Sequence, residues 1–148
     1  MCAERVRKAI EDFFSDNTKA FRGVQVDPLA RCRNELTWTM TGNTPVARKY
    51  DGLPEFRAII GSALAQQFSG GPEFGIYPVE IVVEGNRAAV MVKSQGESAH
   101  GTPYNNNYFF FIEIKDGKLL NVLESCDGSL VMQSIFGTHI EEAAETRE

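Results

Sequence analysis

Residues 105–128 read NNNYFFFIEIKDGKLLNVLESCDG, two apolar runs on either side of Asp116-Gly117. An Asp-Gly pair tolerates the positive backbone angles of a tight turn, so the stretch is read as a β-hairpin. Two registers compete. A two-residue turn sets Glu124 opposite Phe109, whereas a three-residue turn with Gly117 in a bulge sets it opposite Tyr108. The bulged form is preferred because it gathers Tyr108, Phe110, Ile112, Leu120 and Val122 around Glu124. In both, Phe109 and Phe111 point away from Tyr108 and Phe110, so the strand is apolar on both sides and both faces need cover.

Working upstream, the chain alternates with period two from Phe74, and Gly85-Asn86 stands between two such runs as a second tight turn. A two-residue loop there pairs Val83 with Ala88, Ile81 with Val90 and Val79 with Val92, all six on one face. Before this hairpin, Pro54 opens a helix with Phe56, Ile59, Ile60, Ala63, Leu64 and Phe68 as its apolar stripe, closed by the breaker run SGGP. Asp51 is a plausible cap for it, with Tyr50 at the rim. The segment TGNTPVARKYDG is a loop that leads in from a strand, ELTWTM, with Leu36, Trp38 and Met40 on one face. Asp27-Pro28 starts a short helix through Leu29 and Cys32 that ends near Asn34. At the amino end, Val6, Ala9, Ile10, Phe13 and Phe14 recur at helical spacing. After Asp127, GSLVMQSIFG returns to that spacing.

Helices first and hairpins afterwards make an α+β order, with the helices covering one face of a curved antiparallel sheet. A partner subunit would cover the other face, so a homodimer through the sheet is expected. The 148 residues suit one domain, with about 1–3 and 141–148 frayed. A net charge of -5 gives no electrostatic footprint for nucleic acid or an anionic membrane. The first residues mix charge with apolar positions and lack the uninterrupted run of a signal peptide or span. Cys2, Cys32 and Cys126 are scattered and odd in number, which fits free thiols in a reducing, cytoplasmic setting. With His100 and His139 they offer no metal-ligand spacing, and SGGP lacks the context of a phosphate loop; neither metal nor cofactor is expected.

The segments WTMTGNTPVARKYDG and GTPYNNNYFFFIEIKDGKLLNVLESCDG resemble the SnoaL-like polyketide cyclases and ketosteroid isomerase-related proteins of the nuclear transport factor 2-like superfamily. The resemblance implies a cystatin-like α+β barrel: a cone of curved sheet packed on the N-terminal and central helices, enclosing an apolar pocket, commonly in a dimer. It does not choose among isomerases, cyclases, dehydratases, epoxide hydrolases and non-catalytic modules.

In similar enzymes an acidic residue on the last strand faces the pocket and moves a proton, which points to Glu124. Among Leu120, Val122 and aromatic rings its carboxylate would lose hydration, raising its pKa toward the range useful near neutral pH. The alternative is a solvated or ion-paired side chain. Tyr104, Asn106 and Tyr108 share a parity and can project together as hydrogen-bonding groups for a ligand oxygen; core or interface roles compete. Asp127 is a further acid, with helix capping as its rival role. Trp38, Met40, Phe56, Ile60, Phe110 and Val122 are candidate pocket walls, and His100 is a candidate titrating group in a nearby loop. The expected function is cofactor-independent acid/base isomerisation or cyclisation of a small hydrophobic carbonyl substrate. The alternative is a non-catalytic binding or dimerisation module. Epoxide hydrolysis is disfavoured, because the strand from Ala88 to Val92 offers no Arg and Asp pair.

Overall fold

The computed structural model describes residues 2–61, 73–99 and 101–137. The first helix, α1 (Ala3–Phe21), buries Val6, Ala9, Ile10, Phe13 and Phe14 as the spacing requires. It is pinned across the end of the sheet by side-chain bonds to the backbone. Thr18 Oγ1 donates to Ile76 O at 2.8 Å and accepts from Ile76 N at 2.9 Å, and Arg22 Nε donates to Phe74 O at 2.6 Å.

Asp27 caps the next turn by accepting from Leu29 N, but the turn is a 3-10 turn over Pro28–Arg31 that stops short of Asn34. Cys32 instead opens strand β1 (Cys32–Met40), because it pairs with Leu119 and is buried. Sheet pairing overrides a weak helical preference. The stretch expected to be loop contains a short strand, β2 (Lys49–Asp51), paired antiparallel to β1. Its Tyr50 is fully buried rather than at the rim, and its hydroxyl donates to Val46 O at 2.6 Å. Nor does Asp51 cap the following helix. Gly52 holds that position at φ 92°, and the Asp51 N–H instead donates to Glu55 Oε2 at 2.9 Å. Helix α2 (Leu53–Phe56) widens into a π turn over Arg57–Gly61; Ala63, Leu64 and Phe68 lie outside the described residues, as do His100 and His139.

Four further strands are β3 (Gly75–Glu84), β4 (Arg87–Gln95), β5 (Asn107–Lys115) and β6 (Lys118–Cys126), and α3 (Gly128–Ser134) comes after them. The sheet order is β2-β1-β6-β5-β4-β3. Neighbours are antiparallel except β1 and β6, which run parallel. The sheet is therefore mixed, a departure from the all-antiparallel expectation. Its edges, β2 and β3, are not paired to each other, so the curved sheet is open rather than a closed barrel. Register shifts in β1, β3 and the β5–β6 pair supply bends that let it curl around the helices.

The first hairpin pairs Val83 with Ala88 and Ile81 with Val90 as the alternation predicts, with Gly85 at φ 62°. The third pair differs: Val92 meets Pro78, and Val79 is displaced into a bulge and exposed. Pro78 has no N–H for the ladder, and an edge strand is where such an interruption is tolerated. In the second hairpin neither expected register is found. Asp116 and Gly117 form a two-residue turn at φ 51° and 75°, with Lys115 opposite Lys118 and Ile114 opposite Leu119. An extra residue in β6 then shifts the pairing, so that Glu113 meets Asn121 and Glu124 meets Phe110. The bulge lies at Leu120, within the strand rather than in the loop.

Candidate active site

That bulge determines where the acid points. Without it, the inward parity set by buried Leu119 would pass through Asn121 and Leu123, leaving Glu124 beside Phe109 on the outer face. With it, Leu119, Val122, Glu124 and Cys126 all turn toward the helices, and Leu123 is left exposed. The parallel neighbour β1 fixes the strand end: Thr41 N donates to Glu124 O at 3.0 Å, and Thr41 Oγ1 to the same atom at 3.3 Å.

The carboxyl group sits in a frame of rings. Trp38 Nε1 donates to Glu124 Oε2 at 2.7 Å. The Trp38 ring stacks on Phe56 with centroids 4.5 Å apart and meets Phe110 edge-on at 6.2 Å. Every buried side-chain nitrogen or oxygen among the described residues has a partner, so Glu124 Oε1, which makes no bond of its own, is open to the cavity that Glu124 lines. Burial pushes the Glu124 pKa up to about 7, and the Trp38 N–H, which favours the charged form, only partly offsets this.

The cavity has a volume of about 550 Å³ and a mainly apolar wall. Trp38, Met40, Phe56, Ile60 and Phe110 line it, as do Tyr104 and Tyr108. The two phenols are linked, Tyr108 OH donating to Tyr104 OH at 2.8 Å. Desolvation raises both pKa values above the ordinary tyrosine range, so both hydroxyls keep their protons. Other candidates stand elsewhere. Val122 is buried in the core opposite Ile112 and is not among the lining residues. Asn106 shares the parity of the two tyrosines, yet its amide is spent behind the wall. Its Oδ1 accepts from Asp127 N at 3.0 Å, and its Nδ2 donates to Asp127 O at 3.3 Å and to Tyr104 OH at 3.2 Å. Asp127 itself caps α3, its Oδ1 accepting from Ser129 N and Leu130 N at 3.0 and 3.2 Å.

The cavity also has walls that sequence reasoning passed over. Cys126 lines it two residues beyond Glu124 on the same face, a neighbour that strand parity would have exposed; burial pushes its thiol pKa up to about 12. Asn17 continues the α1 stripe one turn after Phe13, and its Nδ2 donates back to Phe13 O at 2.8 Å. A polar residue in an apolar stripe is a readable signal. Asp27 and Arg57 meet at the cavity from 30 positions apart, which no local pattern marks. Among the described residues, no three His, Cys, Asp or Glu side chains gather closely enough to hold a metal ion, and no helix is long and apolar enough to cross a membrane.

No protein-family model matches the sequence, and no curated protein matches it. Solved structures do. An NTF2-like protein of unknown function from Burkholderia pseudomallei superposes with a TM-score of 0.69 at 15% identity, over 88% of this chain and 97% of that one. A "putative isomerase" from Bacillus subtilis gives 0.73 at 13% identity, over 93% and 97%. A "putative SnoaL-like polyketide cyclase" from Jannaschia gives 0.70 at 14% identity, over 92% and 94%. The fold is thus that of the NTF2-like proteins, in line with the resemblance noted in the sequence.

Proposed function

We propose that the chain is a cofactor-independent enzyme that isomerises or cyclises a small hydrophobic carbonyl compound, with Glu124 as the proton-transfer group. One observation carries this reading: a carboxyl group inside an apolar cavity, held through one oxygen by Trp38, with the other oxygen open and a pKa of about 7. Such a group passes readily between carboxylate and acid at neutral pH, taking a proton from carbon adjacent to a carbonyl and returning it elsewhere. The carbonyl oxygen gains charge as the proton leaves and needs a donor. The Tyr104 and Tyr108 hydroxyls keep their protons and both line the cavity, so this hydrogen-bonded pair is assigned that role. Similarity in fold to the "putative SnoaL-like polyketide cyclase" and the "putative isomerase" supports the reaction class without naming a substrate.

The reading can be tested before the substrate is known. In deuterated buffer, a panel of apolar cyclic ketones should exchange protons next to the carbonyl in the presence of the protein, monitored by proton NMR. The Glu124→Gln variant should lose at least about a hundredfold of that rate, the usual scale of a positioned general base. Equal exchange by both proteins would rule out Glu124 as the base.

The second reading, a binding or dimerisation module, draws on the outer face of the sheet. Phe109, Phe111 and Leu123 are exposed there at 59%, 48% and 47%. Neighbouring outward apolar side chains of this size support a surface that another chain could cover. A homodimer through this face is compatible with either function, because the cavity lies on the opposite side of the sheet.

A further inference from the structure

The cavity has a charged end that proton transfer leaves unused. Arg57 is the one cationic side chain among the described residues lining it. Its Nη1 and Nη2 donate to Asp27 Oδ1 and Oδ2 at 3.2 and 3.0 Å. The two side chains are 45% and 50% exposed, which places them at the solvent end. Glu124, desolvated by burial, lies deeper, and rings of the wall run between the two positions without closing the cavity that both line: Phe56, next to Arg57 in the chain, stacks on Trp38, which binds Glu124.

An exposed ion pair contributes little to stability, because water screens it and two long side chains must be held still. The same pair is well placed to exchange partners. Two of the five guanidinium N–H groups hold Asp27, and three remain. Asp27 does not depend on Arg57 for its position, since its Oδ1 also caps Leu29 N at 3.1 Å. An anion reaching this end therefore meets an oriented guanidinium, the geometry best suited to a carboxylate. Further in, the same anion would meet a ring cage with no cation and another carboxyl group, and would lose its hydration uncompensated. Charge thus sets the direction of entry.

We infer that Arg57 is a specificity residue that holds a carboxylate at the trailing end of the ligand, so that the substrates are hydrophobic acids whose uncharged carbonyl end reaches Glu124. The inference rests on the proposed use of the cavity as a small-molecule site. Calorimetric titration with naphthoate and its methyl ester tests it. The unaltered protein should bind the acid about tenfold more tightly than the ester. Arg57→Met should erase that preference while leaving the ester's affinity as it was. Asp27→Asn, which keeps a capping side chain but frees the guanidinium, should tighten naphthoate binding. Binding of both probes with a ratio unchanged in Arg57→Met would overturn the specificity role and leave the small-molecule site standing. Failure of both probes to bind the unaltered protein would overturn both.

Discussion

Glu124 titrates at about 7 because water is taken away from it, and that has a consequence for stability as well as for chemistry. Its folded pKa lies above the ordinary value of 4.5, so the native state binds the proton more tightly than the unfolded chain. Its favourable contribution is complete below about 4.5 and is lost as pH rises toward 7, after which the buried charge costs about 3 kcal/mol. Glu124→Gln should therefore be more stable than the unaltered protein at pH 8 by up to about 3 kcal/mol, with the difference shrinking toward pH 5. Urea unfolding across that range checks it; a Gln variant less stable at pH 8 would contradict a desolvated carboxyl. At this scale the sequence made one thing plain, an acid in an otherwise apolar run. It could not show that Asn106 is used up by the Asp127 backbone, because that partnership joins residues 21 apart through three-dimensional packing.

Among the elements, turns were legible and bulges were not. Gly85 and Asp116-Gly117 mark their hairpins by chemistry that a turn demands, and the α1 stripe marks its buried face by period. The shift at Leu120 has no such mark. It belongs to the assembled sheet, where it seats Val122 inside, leaves Leu123 outside and aims Glu124 at the cavity. The parallel pairing of β1 with β6 is likewise a result of long-range closure. One glycine does show how tightly an element end shapes the site. Gly96 has φ 151°, and a Cβ there would lie 2.6 Å from Cδ2 of Phe74, a cavity wall residue packed on Phe21. Gly96→Ala should lower thermal stability by roughly 1–3 kcal/mol and weaken binding of apolar probes as Phe74 is displaced. A variant with unchanged melting and unchanged binding would show that the contact is relieved without cost.

For the whole molecule, the order of helices and hairpins was enough to reach an α+β fold with one sheet, since few arrangements bury those stripes and alternations together. The alternation in Tyr108–Phe111, apolar on both sides, also pointed to a division of the sheet into a covered side and an outer apolar side, and Phe109 and Phe111 are exposed on the outer one while Tyr108 and Phe110 are buried. That division predicts assembly: sedimentation equilibrium should give a dimer, and Phe111→Glu, which puts a charge in the centre of the outer face, should give a monomer that keeps its fold and cavity. A monomer for the unaltered protein would remove the second subunit from the picture. On the cavity side, rings and strands take water away from the Glu124 carboxyl group. The most direct test is to titrate Glu124 by NMR of its side-chain carboxyl carbon, using Glu124→Gln to assign the signal. A midpoint of about 7 is expected, and a midpoint near 4.5, the value of a hydrated glutamate, would contradict the proposal that this cavity is built to move a proton.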